Sequence, residues 1–599
     1  MEKTHHIRRS QFVLTYGPGA IIESRNGPRL IPSLNRGLDG ELLSPEKLKN
    51  FEITDSRLRT ILKNMGRSES RHETRIFSLP SNASLGKPDN IPIYITYIFP
   101  VWKICYNKDE HPEGRYILHH EKKCPVCNKE KHSSPVRFVV ACNHGHLDEV
   151  PWNYAVHRGE KSENCRPRYF YWKTGGSSLS DIIVECPECG SKTSMQEMYQ
   201  LEFNCTARHP EKEYPKPSSG KSSPFYAEPK RPRTCNGKMK IIQRQSSSLR
   251  FPETITLLTI PKYDNSISNI LQRPDIVPVI GMLLSSEEID EEKLINKIES
   301  SSSYIPGEAP HVIIDYVKKN GINSLHELFH DLHNEERTFM DFIYEEFESL
   351  LEGSRISDDG NFSMSPPKSL SGINGIIPPL FIYPIDILRT VTAQYGYIRM
   401  PSSREEPEIV KSGVFLGDSI WYPGFEGMGE GLFITFSDKP PDIKGMKAYE
   451  EWENHKNSFS MGNPLWNDVY GQPLFVWLHT ISHSIIKALS LHSGYSSASL
   501  RERVYIDRKG QNGGILIYTT SPGEDGSMGG LVGAVDKFDH IMRRAVENIK
   551  VCSNDPLCGE VRKNRDRANG GACYSCLLIS ETSCEHRNMA LDRHMVLGD

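Results

Sequence analysis

The 599-residue sequence contains no G-x-x-x-x-G-K-[ST] loop, so no lysine is placed to reach the β/γ-phosphates of a nucleotide. Its amino end, MEKTHHIRRSQFVLTYGPGA, lacks the apolar stretch of a secretory signal, and no segment approaches 18 uninterrupted apolar residues. A membrane location is therefore not expected, and the cytoplasm is the expected address. Strong charge of one sign is missing too. A formal net charge of −4 argues against a protein that binds nucleic acid over its whole surface, although a local basic face remains compatible with it. With 37% hydrophobic and 25% charged residues, the composition excludes collagen-like and wholly disordered classes.

Cysteine is what the chain does have. The 14 cysteines are clustered, and in a reducing compartment C-x-x-C pairs read as metal ligands before they read as disulfides. Length predicts several domains, and the fold class expected is α+β multidomain. Residues 1–100 read as a β-rich region with a Gly-Pro-Gly turn at Gly17–Gly19 and a strand within Ile91–Trp102. Residues 101–250 form a zinc-ribbon-like central region. Residues 251–390 are largely helical, with apolar residues at helical spacing and acidic first turns. Residues 391–599 form a mixed α/β domain that closes on the last cysteines.

The central region holds two knuckles, Cys124-x-x-Cys127 in KKCPVCNKE and Cys186-x-x-Cys189 in VECPECGSK. Each is the tight turn that lets two thiolates meet one tetrahedral zinc while backbone N–H groups point at sulfur. For Cys186 and Cys189, the available completing pair is Cys205 and Cys235. For Cys124 and Cys127, the stretch ACNHGHLDEVPW offers Cys142, His144 and His146, with Cys105 and Cys165 as further candidates. The set carried forward for that site is Cys142 with His146. At the carboxyl end, Cys558, Cys573, Cys576 and Cys584 already make a complete set, which leaves Cys552 as the spare thiol. Closed sites of this kind are structural, because catalysis at zinc needs an open fourth position.

His479 and His483 stand at i and i+4, the zincin spacing, but Thr480 occupies the place of the general base, so core histidines are expected. The Gly523–Gly533 run, GEDGSMGGLVG, is read either as an anion-holding helix start or as a turn for close packing. Basic residues gather at Lys230, Arg231, Arg233, Lys238, Lys240, Arg244 and Arg250, and again at Arg562, Lys563, Arg565 and Arg567. Of these, Arg231, Arg233, Lys238, Lys240, Arg244, Arg562, Lys563, Arg565 and Arg567 are the candidate phosphate contacts. A nuclease reading fails on H-x-K-x₄-D, since His120-x-Lys122 has no aspartate at the required offset, where Asn128 and its neighbours stand instead. No catalytic residue is assigned, and an enzyme is not expected.

The stretch GGACYSCLLISETSCEHRNMALDR, preceded by HTISHSIIKAL and GEDGSMGGLVG, resembles the zinc-binding domain that ends MrfA-type DNA-repair helicases. Taken with RRSQFVLTYGPGAIIE and ACNHGHLDEVPW, it resembles the DrmB family, helicase-associated subunits of the DISARM anti-phage system. The resemblance implies zinc as cofactor, a separately encoded DrmA-like helicase as partner, and engagement of foreign DNA by the pair. It implies no motor in this chain. A zinc-stabilised scaffold without DNA contact is the alternative.

Overall fold

The computed structural model describes residues 5–25, 27–66, 72–159, 165–217, 225–228, 234–260, 265–271, 273, 275–285, 290–300, 309–334, 336–357, 360–373, 375–402, 406–456, 463–520, 529–564 and 567–598. Helices and several sheets are both present, and the fold is α+β and multidomain. The chain divides into two compact units, each assembled from separated segments. The first takes Met1–Ile53, His72–Ile255 and Thr392–Phe425, and the second takes Thr54–Arg71, Thr256–Val391 and Glu426–Asp599. No helix among the described residues is long and apolar enough to cross a membrane.

In the first unit, the Gly-Pro-Gly turn leads into a hairpin of Ile21–Ser24 and Gly27–Leu30. Two arginines hold that turn. Arg250 donates to the carbonyls of Thr15 and Pro18, and the fully buried Arg399 donates to those of Gly19, Gly145 and Leu249. The buried Glu211 balances Arg399 at 3.7 Å and accepts from the Tyr397 hydroxyl at 2.6 Å. Gly19 has a φ of +83°, and a Cβ there would meet the Tyr397 ring at 2.6 Å, so glycine is required on both counts. Between Ile91 and Trp102 only Tyr97–Ile98 forms a strand. Pro92 and Pro100 bracket it, and neither can donate to a ladder.

The central cysteines sit on two small sheets. One, of six strands, runs in the order Lys192–Ser194, Ile182–Glu185, Phe170–Thr174, Tyr116–His119, Lys103–Cys105, Ser133–Pro135. The other has four strands in the order Leu147–Asp148, Phe138–Ala141, Lys238–Gln243, Phe203–Asn204. Together they enclose a core built around Phe138, Trp152, Phe170, Trp172 and Met195.

The second unit contains a helical cluster over Asn265–Leu271, Val277–Leu284, Glu291–Ser300, Ala309–Asn320 and Ile322–His333. Apolar residues at i and i+3 or i+4 (Leu294 and Ile298, Ile313 and Val317, Leu325 and Leu328) converge on its core. Phe339–Leu351 begins with a capping box between Thr338 and Asp341. Almost every residue of the helix Pro473–Ser490 is buried, His479, Thr480, Ser482, His483 and Ser484 included. Beside it lies the hairpin Leu500–Ile506 and Gly513–Thr519, registered from Leu500 opposite Thr519 to Ile506 opposite Gly513.

Candidate metal centres

Among the described residues, thiols, imidazoles and one carboxylate gather into five groups of four, each with its ligand atoms within 4.8 Å of one another. Three lie in the first unit: Cys105, His111, Cys124 and Cys127; then Cys142, His146, Cys205 and Cys235; then His157, Cys165, Cys186 and Cys189. Two lie in the second: Cys552, Cys558, Cys573 and Cys576, and the group of His479, His483, Glu502 and Cys584. Every cysteine of the chain belongs to one of them.

Local chain geometry explains where they form. Cys105 ends the strand Lys103–Cys105, and the Cys124/Cys127 knuckle follows the paired strand Tyr116–His119, so strand pairing carries the knuckle back to Cys105. Cys186 and Cys189 occupy the turn between Ile182–Glu185 and Lys192–Ser194. Cys142 and His146 flank the turn that joins Phe138–Ala141 to Leu147–Asp148, while Cys205 and Cys235 flank the neighbouring pair Phe203–Asn204 and Lys238–Gln243. Short hairpins with little core of their own are the elements that a metal clip stabilises most.

The spacings fit zinc and not disulfides. Four thiolates about 2.3 Å from one zinc stand about 3.8 Å apart at the corners of a tetrahedron, whereas a disulfide needs about 2.05 Å. Cys105 and Cys127 are 3.7 Å apart, Cys558 and Cys576 3.8 Å, Cys573 and Cys576 3.7 Å, and Cys165 and Cys186 3.5 Å. Around the second group Cys142 lies 3.5 Å from Cys205 and 3.2 Å from His146 Nδ1. His111 and His157 each set Nδ1 against a backbone carbonyl, Arg115 at 2.9 Å and Asn153 at 2.7 Å. Their Nε2 atoms thereby face Cys124 and Cys189. Backbone N–H groups of Gly237, Ala207, Cys573 and Asn554 donate to sulfur.

Each of the four cysteine-rich groups contains one thiol that ionises readily. The Cys205 thiol, and then His146, bring Cys142 down to about 3, and the Ser191 hydroxyl and N–H bring Cys189 to about 6. Burial opposes ionisation of Cys127 and Cys573, yet the N–H groups of Lys129 and Cys576 bring them to about 6. A thiolate at neutral pH is the form that binds metal.

The sets differ from those expected from spacing. Cys124 and Cys127 are completed by Cys105 and His111, not by Cys142 and His146. Cys186 and Cys189 are completed by His157 and Cys165, not by Cys205 and Cys235. Cys552, read as the spare thiol, stands in the terminal four-cysteine group, and Cys584 stands instead with His479 and His483. His144 lies beside its group, its Nδ1 3.4 Å from Cys235. The histidines His111 and His157 and the carboxylate of Glu502 were missed, because folding and not chain spacing brings them in.

The basic residues divide. Arg231, Arg233 and Arg565 lie outside the described residues, as do Lys230 and most of the glycine run. Lys238 and Arg567 are exposed, with Lys238 donating to Asn204, and Arg562 is half-buried. Lys240 pairs with Glu202 at 3.3 Å. Arg244 is turned inward, pairing with Glu23 at 2.7 Å and donating to the Pro135 carbonyl. Lys563 is buried against Trp452. For Arg244 and Lys563 the phosphate-contact reading gives way to an internal role, because their hydrophobic stems are worth more packed than solvated. Beside the glycine run, the buried Glu430 accepts from the N–H groups of Gly529 and Leu531 at 2.8 and 3.0 Å, so a carboxylate of the chain already occupies that helix start.

Two family models match the chain: a domain of unknown function (DUF8724) over residues 8–251, and the MrfA Zn-binding domain over residues 481–577. The chain is similar to the DISARM protein DrmB of Bacillus paralicheniformis, with 29% identity over 534 residues, covering 83% of this chain and 88% of that protein. A solved structure, that of the DUF1998 helicase MrfA bound to DNA, is 13% identical over 32% of this chain and 21% of that chain, with a TM-score of 0.18. The resemblance to DrmB and to the MrfA zinc-binding domain read from the sequence is thus borne out. The terminal four-cysteine group, of which Cys552, Cys558, Cys573 and Cys576 all fall within the matched residues, supports zinc binding there.

Proposed function

We propose that this chain is the non-motor accessory subunit of a DISARM-like anti-phage defence complex, pairing with a separately encoded DrmA-like helicase and helping it to engage foreign DNA. The observation that carries this reading is the similarity to a DISARM protein along 83% of the chain, joined to a terminal domain of the MrfA zinc-binding type. The absence of a phosphate-binding loop from the sequence supports an accessory part, with hydrolysis left to the partner.

In this reading the zinc centres are structural. Each ties turns of short hairpins, or the terminal coil, into a rigid surface, and none offers an exposed open position beside a base. The exposed Lys238 and Arg567, with Arg231, Arg233, Arg562 and Arg565, supply contacts to phosphate, which read no sequence. The chain alone hydrolyses neither ATP nor DNA.

The test is to purify the chain with and without its helicase partner and to measure DNA binding by fluorescence anisotropy. A stable complex that binds DNA more tightly than either component is expected. No complex, or nuclease activity by the isolated chain in Mg²⁺ that zinc-ligand and surface variants both retain, would overturn the reading. A second reading, a scaffold that touches only the helicase, draws on the net charge of −4 and on the internal engagement of Lys240, Arg244 and Lys563.

A further inference from the structure

We propose that His479, His483, Glu502 and Cys584 form a second metal centre in the C-terminal region, a closed, buried site for a zinc-class divalent cation distinct from the four-cysteine group. The matched zinc-binding domain spans residues 481–577, so His479 and Cys584 both lie outside it.

The arrangement is hard to satisfy without a cation. His479 Nε2 lies 2.8 Å from Glu502 Oε1 and 3.3 Å from Cys584 Sγ, and His483 Nε2 lies 2.9 Å from the same Oε1. The opposite nitrogens face backbone carbonyls, His483 Nδ1 that of Leu577 at 2.9 Å and His479 Nδ1 that of Ala590 at 3.4 Å. A carbonyl only accepts, so each Nδ1 carries the hydrogen and each Nε2 turns a lone pair toward the carboxylate. Two lone pairs aimed at one anionic oxygen repel. Two added protons would relieve this only by setting two imidazolium rings, with centroids 4.5 Å apart, around one carboxylate where neither histidine has any exposure.

A single divalent ion answers every contact at once. It accepts both lone pairs, the carboxylate and the thiolate, and its two positive charges cancel the two negative ones, leaving a neutral buried centre. The surroundings match those of a ligating set. The carbonyls hold the imidazoles in the metal-binding tautomer, Ser482 donates to the other oxygen of Glu502, and the N–H groups of His586 and Asn588 donate to Cys584 Sγ, both at 3.3 Å. Two imidazoles, one carboxylate and one thiolate suit zinc better than the hard cations, which take oxygen. Four protein donors with no solvent access leave no position for a substrate, so the centre is structural. It joins the helix Pro473–Ser490, the hairpin strand Leu500–Ile506 and the terminal segment.

Native mass spectrometry of the full-length chain, with elemental analysis, tests this. The wild-type chain is expected to carry five zinc ions, and Cys584→Ala four, with Cys576→Ala also at four and the double variant at three. A wild-type count of four or fewer overturns the proposal, as does a Cys584→Ala count equal to wild type. Should Cys584→Ala lose several ions through misfolding, the wild-type count alone decides.

Discussion

The ammonium of Lys563 lies 3.7 Å from the centre of the Trp452 indole, with the residue 2% exposed, and the Trp452 N–H donates to Asp592 at 3.1 Å. Lys563 is flanked in sequence by arginines and looks from there like part of a phosphate-gripping cluster. Its position makes it a packing residue. Lys563→Ala is expected to lower the stability of the second unit by about 1–3 kcal/mol, because the cation–π interaction and the burial of the stem both disappear. The salt dependence of DNA binding by the complex should stay unchanged. Thermal melting and anisotropy titrations of the same preparations would check both.

Cys552 provides the second prediction, since by spacing alone it is the thiol that zinc does not need. Its sulfur lies 3.4 Å from Cys573, and the Asn554 N–H donates to it at 3.4 Å. Cys552→Ser should therefore cost one zinc ion and open the terminal module to protease, as Cys576→Ser should. Metal binding of ~10–16 kcal/mol in such modules is also folding energy. Equal zinc content in Cys552→Ser and wild type would return Cys552 to the role of a bystander.

The knuckles were legible because two thiolates two residues apart are a local signal, and every cysteine they pointed to is indeed near other donors. What completes each group was not. His111 and Cys105 reach Cys124 and Cys127 only because Lys103–Cys105 pairs with Tyr116–His119, and His157 reaches Cys189 from a separate short helix. Chain order favours the nearest unpaired thiols, whereas strand pairing decides the partners. The same holds for His479 and His483. Their i, i+4 spacing was visible, but the carboxylate that the zincin pattern places beside them comes instead from Glu502, 19 residues beyond His483 on the neighbouring hairpin. The helix Phe339–Leu351 was readable from apolar residues at helical spacing and an acidic first turn. The interleaving of the two units depends on contacts between distant segments, for which periodicity carries no signal.

Glu149 offers a test by pH. Its Oε1 accepts from the Val101 N–H at 2.6 Å, while Oε2 is buried with no hydrogen-bond partner among the described residues. Burial, with Asp148 adding to it, pushes the carboxyl up to about 7 from its ordinary 4.5. The folded state therefore holds the proton up to about pH 7, and the unfolded chain releases it above about pH 4.5. This group's contribution to stability is complete below that lower value and is lost as pH rises through 7, a shift of about 3 kcal/mol at most. Glu149→Gln keeps the acceptor and removes the ionisation. The variant should gain stability over wild type at pH 8 and lose that advantage at pH 4.5, read as the difference between their melting temperatures at each pH. A constant difference would show that the carboxyl ionises alike in the folded and the unfolded chain.

The last prediction concerns DNA. If the chain grips phosphate from its zinc-stapled surfaces, affinity of the helicase complex should fall steeply with salt and vary little with sequence, because each neutralised phosphate releases counterions and none reports a base. The residues that can do this are fewer than the sequence suggested: Lys563 and Arg244 are committed internally, while Arg567 is exposed and Arg562 half-buried. Replacing Arg562, Arg565 and Arg567 together by glutamine should leave zinc content and melting temperature intact. It should shallow the plot of log affinity against log salt by about 0.7–0.9 for each phosphate that is no longer neutralised. A parental slope in the triple variant would remove the C-terminal arginines from the interface and leave Lys238 and its neighbours to be tried. Should the wild-type chain also leave the helicase's own DNA affinity unchanged, phosphate binding by this subunit is excluded and the scaffold reading takes its place.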